Sequence, residues 1–271
     1  MLKKNEPILS ISKEQGEYLQ SIKKEQLFIK ISQVLLFVMS IILWELAARH
    51  NFIDTFLTSS PGAIFELIIR FIKDGSLFKH LYISTMETIV GFFAGTIVGL
   101  MAAVLLWWFE RLAKIMDPYM VILNSLPKTA LAPIIILWAG MGFSGIVVTA
   151  ASISVIVTTM TLYTGFVNVE KDKIILLKTF GANKFQILKK VIIPANFPNI
   201  MSVIKVNIGL SWIGVIVGEF LVSKAGIGYL ILYGSQTFKL DLVMMGVFVL
   251  GVVAAIMYFF AAWLEKKLIK Y

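Results

Sequence analysis

Six long apolar stretches set the fold of this chain. A helix that crosses the hydrocarbon core of a bilayer needs about 20 consecutive, mostly apolar residues. Each stretch reaches about that length, and none contains more than a few charged residues. The sequence therefore predicts an all-α polytopic membrane protein with six transmembrane helices, at residues 30–48, 82–108, 116–139, 146–166, 198–222 and 242–264.

Composition excludes several other classes of protein. Apolar residues make up 58% of the chain and charged residues 15%, whereas soluble domains contain about 45–50% and about 25%. Cysteine is absent, which excludes a disulfide scaffold, a zinc-thiolate site and a cysteine nucleophile. The two histidines are far apart and the acids are not clustered, so a membrane-embedded enzyme is disfavoured. No Gly-Lys pair occurs, so the chain has no phosphate-binding P-loop of its own.

The distribution of positive charge predicts the orientation. If the N-terminus is cytoplasmic, only six of the 25 Lys and Arg residues fall in the outer segments, namely Arg49, Arg70, Lys73, Lys79, Lys224 and Lys239. The positive-inside rule therefore places both termini in the cytoplasm. Residues 1–29 are predicted to be a polar cytoplasmic tail, 30–265 a transmembrane domain and 266–271 a basic cytoplasmic end. The net charge of +9 then reflects orientation, and we expect no nucleic-acid partner.

Two of the segments that connect the predicted spans contain residues typical of helix ends. Ser60 is a predicted N-cap, Pro61 suits a first helical turn and Gly75 can end a helix. The sequence predicts a short helix at 61–74, and leaves open whether it lies on the outer membrane surface or packs on the bundle. The basic connection at 167–197 has stronger signals.

In that connection, residues 171–180 can form a helix that Gly181 ends. Asn183 can cap a second helix that runs to Ile193, where Pro194 would stop it. Two short helices that meet at a Gly-Ala turn form a compact knob on the cytoplasmic side. Such a knob is either a docking element or a structured loop without a partner.

This loop resembles a known family motif. In the permease subunits of bacterial binding-protein-dependent ABC importers, the cytoplasmic loop carries a Glu-Ala-Ala triplet, a Gly four residues later and an Ile-x-Leu-Pro ending. Gly181 and Pro194 have this spacing, although Ile175-Leu176-Leu177 replaces the triplet. Residues 126–140, 211–220 and 226–230 resemble the branch that imports nitrate, sulfonates, taurine and bicarbonate, some members of which import vitamin precursors.

The resemblance implies an ABC importer permease (MetI-like) fold in a bacterial cell membrane. Two permease subunits, expected here as a homodimer, would form the translocation path. An ATP-binding subunit would dock on each loop, and an extracytoplasmic substrate-binding protein would deliver the solute. The chain would be no enzyme and would bind no cofactor, because ATP and Mg would lie on the partner ATPase. The residues expected to couple this chain to the ATPase are Ile175, Leu176, Leu177, Phe180, Gly181, Ala182 and Pro194.

Ionisable residues within transmembrane segments are costly and are candidate functional groups. Lys128 lies between Pro127 and Pro133 in what reads as a broken helix, the setting in which transporters place substrate sites. We expect Lys128 to face the path and to favour an anion; an ion pair with Glu219 or a contact with a carbonyl is the alternative. Glu45 and Glu87 could reach headgroup water, and Lys205 could extend to the interface.

Glu219 is predicted either to brace an outer gate or to cap the turn at 226–228. The candidate path residues are Asn124, Lys128, Asn207, Trp212 and Glu219. An ion-gradient-driven secondary transporter is the alternative function, although no internal repeat is evident and the acidic residues lie near the ends of the spans.

Overall fold

The computed structural model describes residues 13–268, which form helices joined by turns, with no strand in this part of the chain. The all-α prediction is confirmed for these residues. The chain divides into two compact units, one that ends at Ala63 and one that begins at Ile64. Within residues 13–268, five helices are long and apolar enough to cross a membrane, and a bent pair of helices brings the number of spans to as many as six.

The first unit contains α1 (Lys13–Arg49) and α2 (Thr55–Thr58). The first candidate span is Gln20–Arg49, so helix continues through the part of the predicted polar tail that the structure describes; residues 1–12 lie outside it. The Glu45 carboxylate accepts hydrogen bonds from Arg49 Nε at 2.7 Å and from Gly62 N at 2.9 Å. Glu45 thus fixes the turn that follows α1.

The predicted short helix is present as α3 (Pro61–Lys73), and the Ser60 hydroxyl accepts a hydrogen bond from Ala63 N as an N-cap should. Ten further α-helices follow in the described part of the chain. The first nine are α4 (Ser76–Trp108), α5 (Glu110–Ser125), α6 (Ala132–Ala139), α7 (Phe143–Val167), α8 (Lys171–Thr179), α9 (Lys184–Ile187), α10 (Ile193–Ala195), α11 (Phe197–Val222) and α12 (Ile227–Gln236). The last helix, α13 (Leu240–Leu268), contains the beginning of the predicted basic end, and residues 269–271 lie outside the described residues.

Helix α7 packs between α4 and α11, and small residues allow the close approach. A Cβ on Gly91 of α4 would lie 2.8 Å from Ala150 Cβ, and one on Gly99 would lie 2.5 Å from Thr158 Cβ. Gly214 of α11 also approaches Ala150 of α7, through its backbone. Small residues at helical spacing let helices in lipid gain dispersion contacts that larger side chains would prevent.

The third predicted span is broken, as the two prolines indicated. Helix α5 ends at Ser125, Leu126 and Pro127 are extended, and a 3₁₀ turn (Lys128–Leu131) leads into α6. The axes of the two halves differ by 91°. Proline lacks the N–H of a helical hydrogen bond and disfavours the α conformation in the preceding residue, so Pro127 ends α5 just before Lys128.

Candidate functional site

The loop between α7 and α11 contains a tight turn at Gly181. Its φ is +76°, in the left-handed region that side-chain-bearing residues disfavour. Gly181 N donates to the Lys178 carbonyl at 2.9 Å and Ala182 N donates to the Leu177 carbonyl at 3.0 Å. These bonds satisfy the last carbonyls of α8 and end it, as predicted from the glycine.

The second helix of the loop begins with a reciprocal cap. Asn183 Oδ1 accepts from Gln186 N at 2.9 Å, and Gln186 Oε1 accepts from Asn183 N at 2.8 Å. The prediction that Pro194 stops this helix is wrong, because helical backbone continues to Ala195. A π-turn at Leu188–Ile192 precedes Pro194, which then occupies the first turn of α10, where its missing N–H is tolerated.

The loop is fixed to the ends of the long helices. Leu177 and Ala182 pack against a core that includes Leu162 and Phe166 of α7. Lys184 Nζ donates to the Trp108 carbonyl at the end of α4, at 2.6 Å, and lies 5.5 Å from the ring centre of Trp107. Movement of this loop would therefore also move the ends of α4 and α7.

Three of the predicted coupling residues form an exposed apolar tip. Ile175, Leu176 and Phe180 are 56%, 57% and 77% exposed. Leu177 and Ala182 point instead into the core of the loop, and Gly181 forms the turn between these groups. A contiguous exposed apolar surface of this kind marks an interaction site. Contact of the tip with a partner stays a prediction.

Lys128 lies at the break between α5 and α6. Its Nζ donates to the Asn124 carbonyl at 2.9 Å and to Asn124 Oδ1 at 3.3 Å. The contact is therefore with a carbonyl rather than with Glu219, which lies buried in α11. Asn124 also lines a cavity of about 500 Å³, whose other polar lining residues are Thr161, Thr164, Asn168 and Asn199. Lys128 does not itself line this cavity, but its hydrogen bonds to Asn124 place it next to the polar lining.

Asn207 and Trp212 are buried within the second unit, and their place on the path stays a prediction. Asn207 Nδ2 donates to Thr96 Oγ1 of α4 at 2.9 Å and to Thr158 Oγ1 of α7 at 2.8 Å. The Trp212 ring packs with Ile208 and Ala261. These side chains connect α11 to its neighbours, Asn207 to α4 and α7 and Trp212 to α13.

Glu219 is fully buried and organises the start of α12. Its Oε1 accepts from Ser84 Oγ of α4 at 2.5 Å, and its Oε2 accepts from Gly228 N at 2.6 Å. The geometry matches the predicted capping of the turn at 226–228. Ser84 Oγ also accepts from Ile227 N at 2.7 Å, so one hydroxyl joins the carboxylate and the turn.

Glu87 belongs to the same cluster, contrary to the expectation that it reaches headgroup water. It is buried, and its Oε2 atom has no hydrogen-bond partner among the described residues. His80, Ser84 and Glu87 follow one another at i, i+4 and i+7, a spacing that marks one helix face and could have revealed the cluster.

Lys205 pairs with an acidic residue near the end of α13. Its Nζ lies 2.8 Å from Glu265 Oε2 of α13, and both side chains are mostly buried. Groups of three or more acidic or histidine side chains arranged to hold a metal ion do not occur among residues 13–268.

The sequence matches the model of a family described as "Binding-protein-dependent transport system inner membrane component" over residues 95–270. An ABC transporter permease protein of Haemophilus influenzae is 27% identical over 229 residues, which cover 84% of this chain and 93% of that protein. An aliphatic sulfonates transport permease protein, SsuC of Bacillus subtilis, is 28% identical over 231 residues, or 85% of this chain and 84% of the relative.

Solved structures show the same fold. The chain resembles one in an inward-facing conformation of the MetNI methionine ABC transporter, with a TM-score of 0.63 and 17% sequence identity. The match covers 70% of this chain and 94% of the other. The predicted ABC permease fold is thereby confirmed.

Proposed function

Because the chain belongs to the family of binding-protein-dependent transport system inner membrane components, we propose that it forms the translocation path of an ABC importer for a small anion. The ATP-binding subunit that drives it would be a separate chain, as would the extracytoplasmic binding protein. Two copies of this chain would enclose the path in a bacterial cell membrane. The observation that carries the proposal is the exposed apolar tip of Ile175, Leu176 and Phe180 on a loop bound to α4 and α7.

The tip has the properties of a docking site. Its three apolar side chains lose water when a groove covers them, which supplies roughly 25 cal/mol per Å² of buried apolar area. The Gly181 turn and the Asn183 cap hold the tip in one shape. A rigid tip binds without the entropic cost of ordering a loop.

The connections from the tip suggest how docking would drive transport. Motion of α8 would pass through Leu177 to Phe166 of α7, and α7 is packed against α4 and α11 by small residues. Close-packed helices move as rigid bodies rather than deforming gradually. We therefore infer that ATP-driven movement of the partner tilts α4, α7 and α11 together.

Two features support an anionic solute. Lys128 places a positive charge at the break in the third span, and a broken span is where transporters bind substrate. Relatives include the aliphatic sulfonates permease of Bacillus subtilis, and sulfonates are anions. The solute class that we propose is a small anion. Its members would include a sulfonate, an inorganic anion such as nitrate, or an anionic vitamin precursor.

Co-purification with an ATPase tests the docking step. The tagged chain is expressed with each ATP-binding subunit of the same genome, extracted in mild detergent and captured. We expect one ATPase to remain bound, and expect Leu176→Asp to abolish its capture because a carboxylate would be buried in an apolar contact. Phe52→Asp is the control, since Phe52 is also an exposed apolar residue and lies far from α8 in the sequence. Capture that survives Leu176→Asp would refute docking at the tip.

A further inference from the structure

A cavity of about 600 Å³ lies beside α8, where the ends of α4, α5 and α7 meet the loop. Its floor is apolar: Leu106, Phe166 and Ile187 are buried there. Trp107 and Tyr163, half-buried, complete the apolar wall. Tryptophan and tyrosine are enriched where a membrane protein passes from hydrocarbon to headgroups, so the cavity has the lining of a membrane–water boundary.

The rim of the cavity is basic. Four lysines line it, Lys114, Lys171, Lys178 and Lys184, against a single acidic residue, Glu110. The Lys184 ammonium group donates a hydrogen bond to the Trp108 carbonyl. Among the residues whose side chains the structure describes, the ammonium groups of Lys114, Lys171 and Lys178 form no ion pair. Lysine ammonium groups without an ion-pair partner around an apolar floor favour the binding of an amphipathic anion.

We propose that this cavity binds an anionic phospholipid of the leaflet that contacts the basic loop. The lysines would contact the phosphate, and an acyl chain would lie along Leu106 and Trp107. Basic pockets between the ends of transmembrane helices bind anionic lipid headgroups. A soluble phosphate would leave the apolar floor facing water, whereas a lipid covers the floor and neutralises the rim.

The site is separate from the docking tip, although both involve α8. Lys171, Ile174 and Lys178, spaced at i, i+3 and i+7, line the cavity, whereas Ile175 and Leu176 are exposed and do not line it. A lipid phosphate between α8 and Lys114 of α5 would therefore hold α8 in place and leave the tip free. The lipid composition of the membrane would then set how firmly the tip is presented.

Native mass spectrometry of the detergent-purified chain tests this proposal. The probes are phosphatidylglycerol and phosphatidylcholine with identical acyl chains. Lys114→Gln combined with Lys178→Gln removes two rim charges, and Lys189→Gln combined with Lys190→Gln removes two exposed charges of the same loop outside the cavity. We expect wild type and the Lys189/Lys190 variant to retain phosphatidylglycerol over phosphatidylcholine, and the Lys114/Lys178 variant to lose on the order of tenfold in retention.

Thermal unfolding gives a second measurement on the same proteins. Added phosphatidylglycerol should raise the unfolding midpoint of wild type and of the Lys189/Lys190 variant, and leave that of the Lys114/Lys178 variant unchanged. Equal lipid retention by all three proteins, or equal loss in both variants, would overturn the site. Displacement of the lipid by millimolar inorganic phosphate would also overturn it, because the cavity would then bind phosphate and not lipid.

Discussion

Ser84 of α4 and Glu219 of α11 are joined by a buried hydrogen bond of 2.5 Å, across 135 positions of sequence. The same serine hydroxyl and the same carboxylate accept the N–H groups of Ile227 and Gly228. The beginning of α12 is thus positioned by two transmembrane helices at once. Movement of α4 against α11 would necessarily disturb this turn, which lies at the end of the bundle opposite to the coupling loop in the predicted orientation.

Replacement of Glu219 should destabilise the protein more than its single charge suggests. Glu219→Ala leaves Ser84 Oγ and Gly228 N without their buried partner, and we expect a loss of about 3 kcal/mol or more in unfolding free energy. Glu219→Gln keeps the shape and should cost less. Denaturation in mixed micelles measures both. Glu66→Ala, an exposed carboxylate paired weakly with Arg70, is the control and should cost less than about 1 kcal/mol; similar losses in all three variants would contradict the network.

The contact of α4 with α7 should not tolerate even a methyl group. Gly99→Ala would place Cβ 2.5 Å from Thr158 Cβ, so we expect a loss of about 1–3 kcal/mol from overpacking. Gly251→Ala is a matched control, because Gly251 is also helical but has open space around its Cβ position. It should stabilise the protein by up to about 1 kcal/mol. The same denaturation assay separates the two, and a stable Gly99→Ala variant would show that the helices pack less closely.

Several of these features follow from local sequence, and others do not. Pro127 and Pro133 predicted the broken span, and Gly181 predicted the end of α8, because each acts on its own backbone. The hydrogen bond between Ser84 and Glu219 joins residues 135 positions apart, and the spacing of His80, Ser84 and Glu87 marks one face of α4 without saying which helix that face meets. The burial of Asn207 and Trp212 could not be predicted for the same reason, because a sequence locates polar residues in a span but does not say which neighbouring helix each face meets. The prediction that Pro194 stops the second loop helix is wrong because local sequence does not reveal the π-turn before it.

Lys205 and Glu265 should be energetically coupled. Their 2.8 Å contact joins α11 to α13 within mostly buried surroundings, where less water screens the charges than at an exposed site. A double-mutant cycle with Lys205→Met and Glu265→Gln should give a coupling of about 1–2 kcal/mol. The exposed pair of Lys173 and Glu170 is the control, with an expected coupling of less than about 1 kcal/mol. Equal couplings would mean that the inner pair is as fully hydrated as the outer one.

Lys128 should affect transport without affecting the fold. Because its half-exposed ammonium group contacts only Asn124 among the described residues, Lys128→Ala should change stability by less than about 1 kcal/mol. Uptake of an anionic solute should fall on the order of tenfold, as expected for one lost charge contact in a partly dry path. Lys128→Arg should retain most of the activity, and Lys224→Ala serves as the charge-removal control. Unchanged uptake by Lys128→Ala would place this residue off the path.

We propose that this chain transports solute only when a partner hydrolyses ATP. The direct measurement is uptake of a radiolabelled sulfonate into proteoliposomes that contain the chain, its captured ATPase and its binding protein. We expect uptake to require ATP and all three proteins, to persist when proton and sodium gradients are collapsed, and to be lost in Leu176→Asp. Uptake by the chain alone, driven by an ion gradient and insensitive to ATP, would contradict the account and identify a secondary transporter.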